Sequence, residues 1–114
     1  MRFKIPRDTD KISWTKHSIE KMKFYGLSEH RIKRVLRNPR RMEEGIAPGT
    51  LAAMQPAGSK RNPCEIWLMY VKTGDKKRII SAWRYPGTSK ACKKIPIPEE
   101  IRADIEKEIR KFAL

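Results

Sequence analysis

Two adjacent stretches fix the centre of this chain. Glu65-Ile66-Trp67-Leu68-Met69-Tyr70-Val71 and Lys77-Arg78-Ile79-Ile80-Ser81-Ala82-Trp83-Arg84-Tyr85 are rich in β-branched and aromatic residues and short for helices. Thr73-Gly74-Asp75-Lys76 between them reads as a short hairpin loop, so the two strands are expected to pair antiparallel. The second stretch has bulky apolar groups on both parities, which predicts a central strand. Strict alternation would place Arg78, Ile80, Ala82 and Arg84 on one face and Ile79, Ser81, Trp83 and Tyr85 on the other.

The other elements follow from their boundaries. Residues 1–10 read as a basic N-terminal arm, and residues 11–14 as a first short strand. Thr15 offers an N-cap to a helix over 16–25 that Gly26 stops. Ser28 caps a second helix over 29–37, with Ile32, Val35 and Leu36 on one face and Asn38-Pro39 at its end. Residues 40–44 and 50–55 are weaker strand signals, separated by a turn at 45–49, and 56–63 reads as a loop. The last helix spans about 98–113, with Glu99 and Glu100 in its first turn and Arg110 and Lys111 in its last. Ile101, Ile105, Ile109 and Phe112 form its apolar stripe. The order is that of a single α+β domain over 11–114, its core at 11–86.

The chain has 114 residues, 27 Lys and Arg against 13 Asp and Glu, and a net charge of +14. That length allows one domain, and that charge exceeds the ~2–8 that solubility asks of a small domain. The excess is uneven. Residues 1–44 hold 13 basic and 6 acidic side chains, residues 45–98 hold 10 and 2, and residues 99–114 hold 4 and 5. A polyanion is therefore the expected partner, RNA or the ribosome first, met by the first two blocks. No apolar run approaches the ~20 residues of a membrane span, and no signal-peptide pattern opens the chain, so no membrane is expected. Cys64 and Cys92 have no second ligand at metal spacing, which points to a reducing cytoplasm and away from a disulfide scaffold, a metal or a cofactor. Their own roles stay open beyond that of buried thiols. Phosphate-binding glycine loops and a G-x-S-x-G elbow are absent.

Several side chains are candidates for chemistry. His17 sits in the first turn of a helix, whose positive end favours neutral imidazole, a suitable general base or acid near neutral pH. The alternative is a histidine packed on the sheet. His30 lies among Arg31, Lys33 and Arg34, off the apolar stripe, as a solvated residue would. Arg84 offers a planar fork of donors for a phosphate, unless it is solvated or ion-paired at the strand end. Arg31, Lys33, Arg34, Arg37, Arg40 and Arg41, with Lys76 and Lys77, are candidates to follow phosphates. Trp67, Trp83, Tyr70 and Tyr85 would stack bases if exposed, or fill the core.

Trp-Thr-Lys-His at 14–17, Lys-Met-Lys-Phe-Tyr-Gly-Leu-Ser at 21–28 and Ile-Lys-Arg-Val-Leu-Arg-Asn-Pro at 32–39 resemble a family of small prokaryotic T-x-H domains of unknown function. Lys-Arg-Ile-Ile-Ser-Ala-Trp-Arg at 77–84 resembles a strand of BrnT-type toxins. Both groups are placed with the RelE-like, barnase–EndoU–colicin–RelE type of metal-independent ribonuclease. The resemblance covers about residues 11–86. It implies two N-terminal helices packed on a small twisted antiparallel sheet, with the C-terminal helix as an addition. It implies an endoribonuclease in which a 2′-hydroxyl attacks the neighbouring phosphate. His17 would move protons, Arg84 or Arg78 would stabilise the phosphorane, and Ser81 and Tyr85 would complete the site. Trp83 is inserted in the strand motif, which keeps Arg78 as the alternative to Arg84, and Tyr25 stands where BrnT-like chains carry a histidine. A non-catalytic nucleic-acid binder of the same fold is the alternative, and an acidic antitoxin is a further expected partner.

Overall fold

The computed structural model describes residues 3–46, 49–90 and 94–112. Met1 and Arg2 of the arm, Pro48 of the expected turn, Cys92 and residue 113 of the expected last helix lie outside the described residues. In chain order the elements are β1 (Ile12–Trp14), α1 (Lys16–Tyr25), α2 (Glu29–Arg37), β2 (Arg41–Glu44), β3 (Thr50–Gly58), β4 (Pro63–Thr73), β5 (Lys76–Pro86) and α3 (Glu99–Phe112). The strands form one sheet in the order β1-β5-β4-β3-β2.

This architecture corrects the expected fold. The sheet has five strands and is mixed, because β1 joins β5 in parallel, Ile12 beside Lys77 and Trp14 beside Ile79. The chain begins with that strand rather than with two helices, and the third helix is an integral layer. Residues Met22, Leu27, Ile32 and Val35 of the first two helices and their turn pack with Ala53, Ile66, Leu68, Ile79 and Ala82 on one face. Ile101 and Ile105 of α3 pack with Met54, Trp67, Met69, Ile80 and Trp83 on the other. A three-layer arrangement explains why β4 and β5 are apolar on both faces.

Local chemistry sets the helix boundaries. The Thr15 hydroxyl accepts from Ser18 N–H at 3.0 Å, and the Ser28 hydroxyl accepts from Arg31 N–H at 3.1 Å. Gly26 takes a left-handed φ of 68° at the end of α1, a conformation costly for any side chain. The arm of residues 1–10 is anchored at its base. Asp8 accepts from Trp14 N–H at 3.0 Å, the Arg7 carbonyl accepts from the Trp14 indole at 3.2 Å, and Pro6 is buried.

Strand β3 runs on through Pro56 to Gly58, where composition suggests a loop. The Met54 carbonyl faces the β2 side, where it accepts from Arg40 N–H at 2.7 Å. Two residues on, the missing N–H of Pro56 points the same way, past the end of β2, so the ladder stays complete.

Alternation also breaks in β5. Met69 pairs Ser81 but Tyr70 pairs Ile79, which leaves Ile80 as an extra residue. Ile79, Ala82 and Arg84 therefore face α1 and α2, whereas Arg78, Ile80, Ser81, Trp83 and Tyr85 face the α3 side. The bulge lies where β1 ends and α1 takes over along the strand. There Thr15 N–H donates to Ile79 O at 3.1 Å, and its hydroxyl donates to Ile80 O at 3.0 Å.

Candidate functional site

The T-x-H segment and the Ile-Ser-Ala strand meet. His17 Nε2 lies 3.0 Å from Ser81 Oγ, and His17 Nδ1 lies 3.8 Å from an oxygen of Asp104 on α3. A hydroxyl, an imidazole and a carboxylate are thus in line, but Ser81 has no exposed surface and His17 is 8% exposed. That hydroxyl is covered by the protein. Burial holds the His17 pKa below its ordinary value, with Lys21 pressing the same way and Asp104, Glu108 and Glu20 opposing. The imidazole is therefore neutral near pH 7. With Thr15, it clamps α1 to β5.

Arg84 stands elsewhere. It faces the opposite side of the sheet, where Nη2 donates to the Tyr25 carbonyl at 3.2 Å and Nη1 lies 3.5 Å from Cys64 Sγ. Tyr25 ends the helix that His17 begins, so roughly 12 Å of helix axis separates the two. Arg78 shares the α3 side with Ser81, roughly 10 Å away along the strand. Tyr85 is half-buried on that side, across from Glu65. His17 and Ser81 are brought together, and Arg84 is not with them.

The basic candidates divide. Arg41 is taken into an internal network on the α3 side. Its guanidinium pairs with Glu43, donates to Ser89 Oγ at 2.7 Å and lies 5.0 Å from the centre of the Trp67 ring. Trp67 stacks on Trp83 at 6.1 Å. Both indoles and the Tyr70 ring are buried, so these aromatics are core. Buried Glu65 completes the network. It accepts from the Trp67 indole at 3.0 Å, from Ser89 Oγ at 2.6 Å and from Ser89 N–H at 3.1 Å, which ties down the connector after β5. Arg40 and Lys76 are exposed.

Arg31, Lys33, Arg34 and Arg37 line the two flanks of α2. On one flank, Lys33, Leu36 and Arg37 face Lys11, Ile12, Asp75 and Lys77 across a cleft of about 260 Å³. Lys33 also pairs with Glu29 one turn back, at 2.7 Å. On the other flank, Arg31 donates to Gln55 on β3. Gln55, Ile66 and Arg84 form one cross-strand row, so Arg31 and Arg84 stand on the same face. Exposed His30 lines a separate cleft of about 560 Å³ beside the arm, with Phe3, Lys4, Lys23 and Leu27.

Lys11 and Gln55 do not stand out as candidates in the sequence. Gln55 carries a signal all the same: it interrupts the apolar alternation of Leu51 and Ala53 with a polar group on a covered face. Lys11 carries none, since its place depends on the parallel pairing of β1. No protein-family model, curated protein or solved structure matches the chain. No helix among the described residues is long and apolar enough to cross a membrane.

Proposed function

We propose that this chain is a cytoplasmic nucleic-acid-binding module that holds the phosphate backbone of an RNA strand along α2 without cutting it. The cleft between α2 and the β1–β5 end of the sheet carries this reading. Four cations, Lys11, Lys33, Arg37 and Lys77, surround about 260 Å³ with Asp75 as the one acid in the lining. The helix is docked through buried Ile32 and Val35, with Arg31 and Lys33 half-buried at its sides. It is not raised to enter a duplex groove, which favours a strand lying in the cleft. Trp67, Trp83 and Tyr70 of the sheet are covered, so recognition rests on phosphates and carries little sequence preference.

Binding is preferred over cleavage because the His17 ring is buried with its Nε2 taken by Ser81, and Arg84 is on the other face. The test is fluorescence anisotropy with single-stranded RNA in EDTA, with gel analysis of the same samples. The expected result is binding that weakens steeply with salt, RNA that stays intact, and no change on His17→Ala. Salt-independent or absent binding would remove the reading. Cleavage abolished by His17→Ala would replace it with the catalytic one.

A further inference from the structure

We infer that Arg31, Arg34 and Arg84 form a site for a doubly charged phosphate group, the terminal phosphate of the bound strand. The inference rests on the strand-binding reading above and adds its polarity. Gln55 and Arg84 stand at either side of Ile66 in one cross-strand row, about 10 Å apart at the backbone by strand spacing. Arg31 reaches down from α2 to Gln55, and Arg84 reaches to Cys64 and the Tyr25 carbonyl. Arg34 lies one turn after Arg31 on α2, and its carbonyl accepts from Gln55 Nε2 at 3.4 Å.

Every partner in these contacts is neutral. Among the described residues none of the three arginines has an ion pair. Burial lowers the Arg31 pKa, with Arg34 and Arg84 pressing the same way and Cys64 opposing. A guanidinium has five N–H donors, and the bonds above use one of Arg31's and two of Arg84's. Two guanidiniums held by neutral acceptors with donors to spare, and Arg34 one helical turn from Arg31, make a pre-formed anion site. A phosphodiester brings one negative charge, whereas a terminal phosphomonoester brings nearly two at pH 7 and three free oxygens. The second matches the cluster better.

The experiment has two arms. Anisotropy compares one RNA sequence with a 5′-phosphate, a 3′-phosphate or hydroxyl ends. A phosphorylated end should bind about tenfold tighter than hydroxyl ends, and which end wins gives the strand's direction. Arg34→Gln, at an exposed position, should remove that preference. In the second arm, adenosine 5′-monophosphate and adenosine are titrated while arginine side-chain N–H resonances are followed by NMR. The monophosphate should move the Arg31 and Arg84 signals, and adenosine should not. Equal affinity for all three RNAs overturns the terminal-phosphate site while leaving backbone binding intact. Shifts with the monophosphate but no RNA binding keep the site and overturn the strand reading. No shift with the monophosphate overturns the site outright.

Discussion

His17 lies where a strand and two helices meet. Its ring belongs to α1, its Nε2 meets Ser81 on β5, and its Nδ1 looks toward Asp104 on α3. Replacing it with Ala leaves the Ser81 hydroxyl buried without its partner, at a cost of about 1–3 kcal/mol by chemical denaturation. The pH dependence has a definite sign. The folded pKa is lowered from 6.5, so the unfolded chain takes up a proton that the folded protein refuses. The stability due to neutral His17 is complete above pH 6.5 and declines as pH falls below it. The decline stays below the one-proton limit of about 1.4 kcal/mol per pH unit. The difference between wild type and His17→Gln, measured from pH 7.5 to 5, should show this acid limb; parallel curves would contradict it. At this scale, capping was legible: Thr15, Ser28 and Gly26 act locally and end their helices where expected. No local pattern encodes the contact of His17 with Ser81, because it spans 64 residues and its facing depends on the bulge at Ile80.

Among elements, α3 is held on the sheet by two fully buried isoleucines and by the connector that Glu65 and the Trp83 indole secure. The Trp83 indole donates to the Pro96 carbonyl at 2.8 Å, just before the helix begins. Ile105→Ala opens a cavity against Trp83 and Met69 and should cost about 2–5 kcal/mol. Ile109→Ala, at a half-buried position, should cost less. Thermal unfolding of the two variants measures the ordering, and RNA affinity below the transition should be unchanged in both. The helices and the β4–β5 hairpin were readable because periodicity and turn chemistry are local. The parallel partnership of β1 with β5 joins the two halves of the chain, and no local pattern encodes it. The two helical faces of the sheet were equally hidden, since an apolar stripe says that a helix docks and not on which side.

For the whole molecule, the cations of α2 and the acids of α3 lie on opposite faces of the sheet, with Arg41 and Arg78 also on the α3 side. One side carries α2, the cleft and the arginine cluster. The other carries α3, where Glu99, Glu100, Asp104, Glu106 and Glu108 nearly balance Arg102, Lys107, Arg110 and Lys111. Under the proposed function, this arrangement would orient a polyanion before it docks. Lys33→Glu with Arg37→Glu should lower RNA affinity and reduce the slope of log K against log salt by roughly 0.7 for each phosphate left unneutralised. Arg102→Glu with Arg110→Glu on exposed positions of α3 should leave that slope unchanged. Equal effects from both pairs would mean that net charge alone governs binding. The uneven charge along the chain was visible in the sequence, whereas its separation onto two faces required knowing where α3 docks.

The end of the sheet at Pro56 has a consequence for crowding. A chain that collects on RNA is brought to high local concentration, where open strand edges invite copies to add to one another's sheets. Here β1 has three residues and β2 four, and where β3 outruns β2 its outward position is a proline with no donor to offer. Under the proposed function, copies lining one strand would sit side by side without fusing into fibres.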